Sequence, residues 1–183
     1  MKPLLWVALL FGCQHPALGV PAVAQTTNYS CGAASLAAVL RYWNVYDGPE
    51  QGLWPALHTT PKDGTEPGPI ADVARAHGLS AEYRRDVTLG ELRAALGRGE
   101  TVILDLQAWA DKPVKWADDW DDGHYVVMTA MDERRIRFMD PSEDAGYGQL
   151  GIADFLERWH DVEIDGHRYQ HMAIFVHGGS VLK

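Results

Sequence analysis

Residues 124–131, His-Tyr-Val-Val-Met-Thr-Ala-Met, are apolar on both alternating faces, and few folds can house such a segment. A half-exposed strand alternates polar with apolar residues. One that does not needs cover above and below, which places it centrally in a sheet. The polar Asp132-Glu133-Arg134 that follows is a turn, and Arg135 to Met139 returns beside the first strand as a hairpin. Thr101 to Leu106, short and containing β-branched residues, is a buried strand. Ala81 to Arg84 and Tyr169 to Val176 supply two more.

The first half reads as helix. Leu36, Leu40 and Trp43 form an apolar stripe at three- and four-residue spacing, so a helix runs from Cys31 to Trp43 with Ser30 as its N-cap. Its Ala-rich first turns let it lie close to a neighbour, which makes it the central helix. Asp47-Gly48-Pro49 breaks it. Gln51 to His58 is a short helix, Pro69 to His77 another that Gly78 ends, and Leu89 to Leu96 a third, capped by Thr88 with Glu91 three residues on. Ile152 to Trp159 is the last. Helices first and an antiparallel sheet second describe an α+β domain. At 183 residues, 46% of them hydrophobic and 22% charged, the chain suits one such domain with a substantial core.

The chain opens with Met1-Lys2 and an apolar run from Pro3 to Phe11, too short to span a bilayer. It reads as an export signal over residues 1–19, leaving a domain over 20–183. Leu10-Phe11-Gly12-Cys13 offers a second cleavage after Gly12, in which Cys13 would be lipidated and become the one attachment to a membrane. The expected location is outside the cytoplasm: periplasmic, envelope-anchored or secreted. On either route Cys31 remains as a lone thiol in an oxidising compartment, which calls for a reason. A net charge of −9 argues against a nucleic-acid surface, which needs clustered Lys and Arg, and favours a basic or neutral substrate.

Catalysis is one such reason. Gln25 and Cys31 flank a polar stretch that ends where the helix begins. A helix N-terminus stabilises a thiolate through its dipole and its free N–H groups. The same groups hold an oxyanion, with the Gln25 amide as second donor. The alternative is a small buried thiol behind an ordinary cap. His124 and Asp140 are sixteen positions apart about a turn centred on residue 132, so the hairpin brings them side by side. Opposed strand residues sit roughly 4.5–5.5 Å apart at Cβ, within reach of an imidazole–carboxylate hydrogen bond. Gly123 leaves room for a substrate or another backbone, and Pro141 ends the strand. In these roles His124 takes the Cys31 proton and Asp140 fixes the imidazole tautomer. The alternative for His124 is a satisfied histidine at a strand end. None of the other seven histidines combines a preceding glycine, a buried strand and a facing carboxylate.

Between the strand at Leu106 and His124 lies a long segment with Trp109, Trp116, Trp120 and Asp122. These residues are candidates for a substrate lid over the cleft. Alternatively the tryptophans pin the segment to the body. Its aspartates do not match the spacing of a calcium loop, and one Cys with one well-placed His is a poor zinc set, so no metal or other cofactor is expected.

Gln25, Tyr-Ser-Cys-Gly-Ala-Ala-Ser from Tyr29 to Ser35, Gly-His-Tyr-Val-Val from Gly123 to Val127, and Met139-Asp140-Pro141 together resemble the bacteriocin-processing, or double-glycine, cysteine peptidases. The resemblance implies a papain-like fold, in which the Cys-bearing helix packs on the sheet. It also implies an amide-cleaving Cys31, with His124 as acid and base, Asp140 as orienter and Gln25 at the oxyanion. Well-known members precede a membrane transporter and trim leader peptides after a Gly-Gly pair on the cytoplasmic side. This chain, with its export signal, is more similar to the free-standing branch. A peptide or protein is then the substrate. An acyl transferase on the same scaffold and a non-catalytic peptide-binding module at the envelope are the competing expectations.

Overall fold

The computed structural model describes residues 16–109 and 115–178. The helices expected in the first half are present: α1 (Cys31–Tyr42), the short α2 (Trp54–Leu57), α3 (Pro67–Ala76) and α4 (Leu89–Gly97), with α5 (Ile152–Arg158) later. A 3₁₀ turn over Glu50–Gly52 precedes α2. Helix α3 starts two residues earlier than expected because Pro67, at its first position, has no N–H to lose and a backbone angle already set for helix. Helix α4 carries a complete capping box between Thr88 and Glu91.

Six strands form one antiparallel sheet in the order β1-β8-β2-β3-β4-β5. These are β1 (Leu79–Arg84), β2 (Thr101–Gln107), β3 (Gly123–Met131), β4 (Arg135–Met139), β5 (Tyr147–Gly151) and β8 (Ala173–Gly178). A separate hairpin joins β6 (His160–Val162) to β7 (Arg168–Gln170). The expected strand over residues 169–176 is therefore divided. His171 adopts a left-handed conformation (φ 52°), which turns the chain between β7 and β8. Strands β5 and β6 escape sequence reasoning. Two glycines thin β5, and β6 has three residues, too few for alternation to register.

Strands β2 and β3 sit in the interior of the sheet, as their composition demands. Val127, Ile103 and Ile174 pack with Leu36, Leu40 and Ile70 of α1 and α3. The opposite face, Val102, Leu104 and Met128, packs with Leu92, Phe155 and Trp159 of α4 and α5. Burying each such side chain contributes about 1.5–3 kcal/mol, so two covered faces hold the central strands in place. Helix α1 lies close because Ala33, Ala34, Ala37 and Ala38 are fully buried, and Ser35 Oγ donates to Tyr125 O at 3.0 Å. At Gly32 a Cβ would come within 2.8 Å of Thr65 Cβ, so only glycine lets the Thr65 loop approach the helix start.

Residues before Gln25 also belong to the packed body. Leu18 N–H donates to Thr129 O at 2.8 Å, Tyr147 OH donates to Val20 O at 2.9 Å, and Val20 and Val23 are buried. Packing thus begins at Leu18, two residues before the first residue left by the cut expected after Gly19. Cys13 and the apolar run lie outside the described residues.

Candidate active site

Cys31 is the first residue of α1, so its neighbours' N–H groups have no partner in the preceding turn. The sulfur faces the backbone N–H groups of Tyr125, Gly32 and Cys31 itself, all of which favour the thiolate. Burial opposes them and is larger, and the Asp105 carboxylate adds to it. The thiol is pushed up to about 12. Cys31 keeps some exposure at the surface, yet the sulfur itself is packed closely enough for desolvation to dominate. The expected activation by the helix start is present but outweighed in this arrangement.

Gln25 is tied at both ends of its residue. Its backbone N–H donates to Pro141 O at 3.0 Å, which anchors it beside Asp140. One N–H of its side-chain amide donates to Thr27 O at 2.8 Å. The amide oxygen is buried without a hydrogen-bond partner among the described residues. Ser30 does occupy the N-cap position, but its hydroxyl makes no cap bond to the helix. It donates instead to Glu50 Oε1 at 2.9 Å, a buried carboxylate that sequence reasoning had not singled out.

His124 Nε2 lies 2.7 Å from Asp140 Oδ1. The register is Val127↔Met139, which when continued sets Asp140 opposite Val126. His124 and Asp140 are thus diagonal neighbours rather than the directly opposed pair expected, because the strands leave the turn in the register Met131↔Ile136; the bulge between Met128 and Ala130 then moves Asp140 one residue toward His124, from opposite Val127 to opposite Val126. Diagonal pairs are about 7–8 Å apart, still within range of two long polar side chains. Asp140 also accepts from Ser142 N (2.9 Å) and Ser142 Oγ (2.8 Å). Burial pushes its carboxyl up, but the hydrogen bond and charge of His124 and the Ser142 donors together hold it below the usual range. His124 is 1% exposed, and its Nδ1 has no hydrogen-bond partner among the described residues. So the thiol and the imidazole share no hydrogen bond here. The sulfur sits at the N–H of Tyr125, the residue next to His124.

The candidate lid residues separate. The Trp109 ring packs 4.4 Å from the His124 ring and is 45% exposed, so it covers the pair from the solvent side. Trp116 lies instead under Arg158, 3.6 Å from its guanidinium carbon. Trp120 lies between His160 (4.3 Å) and Arg168 (4.5 Å). Asp122 is fastened by its backbone to Gln107 Oε1 (2.9 Å) and Ala108 N (3.0 Å). Those three residues pin the segment to the body.

An acid pair lies behind the site. Asp105 Oδ2 accepts from Tyr169 OH at 2.7 Å, and Asp161 Oδ1 accepts from Gln107 Nε2 at 3.1 Å. Burial first, and the charge of Asp161 second, push the Asp105 carboxyl well above the usual range. The space at Gly123 is taken by Asp161, not by a substrate: a Cβ there would land on Asp161 Oδ2. Gly123→Ala must displace that carboxylate from Gln107. Overpacking of this kind destabilises by about 1–3 kcal/mol. Denaturant melts that leave the midpoint unchanged would show that Asp161 has room to move.

Residues 19–165 match the sequence model of the Peptidase C39 family. A C39-like peptidase from Bacillus anthracis superposes with a TM-score of 0.67 at 16% identity, over 90% of this chain and 97% of that one. The peptidase domain of Streptococcus ComA, a bifunctional ABC transporter involved in quorum sensing, gives 0.59 at 16% identity, over 87% and 98%. A double-glycine-motif protease from an AMS/PCAT transporter, in complex with its leader peptide, gives 0.58 at 19% identity, over 88% and 94%. No match is found among curated proteins.

Proposed function

Because this chain belongs to the peptidase C39 family and is a cysteine-type peptidase of papain-like α+β fold, we propose that it cleaves peptide bonds through an acyl-enzyme on Cys31. In this mechanism the side chain of Cys31 turns from the Tyr125 N–H toward His124 Nδ1 and gives up its proton there. Nε2 stays with Asp140, which fixes the tautomer and stabilises the imidazolium. The thiolate attacks the carbonyl carbon, and the new oxyanion is held by the Cys31 N–H and the second N–H of the Gln25 amide. The C–N bond breaks as His124 protonates the leaving amine. Water, deprotonated by His124, then releases the acid and frees the thiol. Trp109 shields the imidazole and its carboxylate from water.

The single observation that carries this mechanism is His124: bonded to Asp140 through one nitrogen, with the other buried and unpartnered among the described residues, one residue from the site where the sulfur rests. Catalytic hydrogen bonds are often long before substrate arrives, so an open thiol–imidazole pair suits the unliganded state. The substrate class is a peptide, as with the leader-bound relative. The apolar run from Pro3 to Phe11 supports export of the enzyme to the envelope or beyond. Acid-quenching the enzyme during exposure to an envelope extract should trap a thioester on Cys31, read as a mass shift on its tryptic peptide. No adduct, or one that persists in Cys31→Ser, overturns the mechanism. An amine added as acceptor, if it yields aminolysis products, points to acyl transfer.

A further inference from the structure

We propose that Glu50 is the positioning residue that sets the oxyanion hole, acting on Gln25 through the loop between Gln25 and Cys31; this rests on the peptidase mechanism above. Glu50 is 2% exposed. Its Oε1 accepts from Thr26 N–H at 2.7 Å, Thr26 Oγ1 at 2.6 Å and Ser30 Oγ at 2.9 Å. Its Oε2 accepts from the Trp54 indole at 3.2 Å. Among the described residues, every group bonded to this carboxylate donates, which is what an acceptor-only side chain requires.

The bonds pass on to the amide. Ser30 Oγ, with its hydrogen given to Glu50, accepts from Thr27 N–H at 3.2 Å. Thr27 is therefore fixed on its N–H side by Ser30 and through its neighbour Thr26 by Glu50. Its carbonyl is the group that holds Gln25 Nε2, at 2.8 Å. Three links connect the carboxylate to the donor: Glu50 to Thr26 and Ser30, these to Thr27, and Thr27 to the Gln25 amide. The last residue of the loop, Ser30, precedes Cys31, whose N–H is the other oxyanion donor. One buried acid thus sets both donors.

Stability alone gives a poor account of this residue. Burying a carboxylate that no cation among the described residues pairs is costly, and an apolar side chain would serve a core at least as well. A charged acceptor holds several donors at once with fixed direction, and it holds them more strongly than a neutral one. Preorganised donors are what an oxyanion site needs, because they must be in place before the charge develops. A displacement of about 1 Å in such a group can reduce rate by about 100-fold.

The test separates oxyanion stabilisation from nucleophile and fold. The probes are acetyl-glycyl-glycinal, whose aldehyde carbon bonds to the Cys31 sulfur while its oxygen enters the oxyanion position, and iodoacetamide. Iodoacetamide loses iodide as sulfur bonds to carbon and develops no oxyanion. Glu50→Gln keeps the shape and loses the charge. It should weaken the aldehyde adduct and lower kcat on peptide amides, each by about tenfold or more, against the 100- to 1,000-fold attributed to complete loss of one donor. KM and the iodoacetamide rate should stay within about twofold of the parent. Should Glu50→Gln not fold, Thr26→Val removes one donor and spares the backbone bond, with a smaller loss in the same direction. Equal losses in aldehyde affinity and alkylation rate would make Glu50 structural only and overturn the inference. A parent enzyme that forms no aldehyde adduct on Cys31 would count against the peptidase mechanism instead.

Discussion

Cys31→Ser should fold as the parent does and lose peptide turnover by about four orders of magnitude or more, as when a nucleophile is removed from a catalytic unit. The hydroxyl is smaller than the thiol, and the N–H of Tyr125 that faces the sulfur can bond it equally well. Helix α1 is held by its buried alanines, Leu36 and Leu40, not by the sulfur, so the thermal midpoint should move by only a few degrees. Chemistry is different. A serine hydroxyl is far harder to ionise than a thiol, so the proposed transfer to His124 would leave it protonated. Kinetics on a fluorogenic peptide amide, with a circular-dichroism melt of the same preparation, give both numbers. Residual turnover within tenfold of the parent would remove Cys31 from the reaction.

His124→Ala should lower turnover by about 100- to 10,000-fold, the usual contribution of a positioned acid–base group. It should also change how the thiol ionises. His124 does not act on the thiol in its resting position, where the backbone N–H groups are outweighed by burial and the Asp105 charge, so the variant lacks the one group to which the thiol could give its proton. At neutral pH very little of the variant's sulfur would then be thiolate, and its alkylation should keep rising with pH through the alkaline range. The parent should alkylate at least about 100-fold faster than the variant near pH 7, since transfer to His124 Nδ1 generates thiolate there. Iodoacetamide rates measured from pH 6 to 11 on both proteins decide this. Identical profiles would mean that the two side chains never meet.

These outcomes draw on features of unequal visibility in the sequence. Helix α1 and the capping box of α4 could be read from the order of residues, because cap chemistry and three- to four-residue apolar spacing act over one or two turns. The doubly apolar β3 announced its central place for a similar reason. The hairpin that brings His124 to Asp140 was legible as a turn, but its register was not. The strands leave the turn at Met131↔Ile136, out of the symmetric register, and the bulge between Met128 and Ala130 recovers one residue of it, which puts Asp140 diagonal to His124 on the same face. The candidate lid divided for want of any local signal. Trp109, Trp116 and Trp120 look alike in sequence, and only their partners His124, Arg158, and His160 with Arg168 tell them apart.

The order Gln25, Cys31, His124, Asp140 and the split into helical and sheet halves were determined by sequence alone, since residue identity and short-range periodicity are properties of the chain itself. The tertiary structure alone decided that Glu50 serves Thr26 and Ser30 from 24 and 20 positions away. It also decided that Asp161 fills the space beside Gly123, and that the sulfur rests where burial suppresses its charge. Desolvation and long-range hydrogen bonds depend on what surrounds an atom in space, and no pattern of neighbours along the chain encodes that.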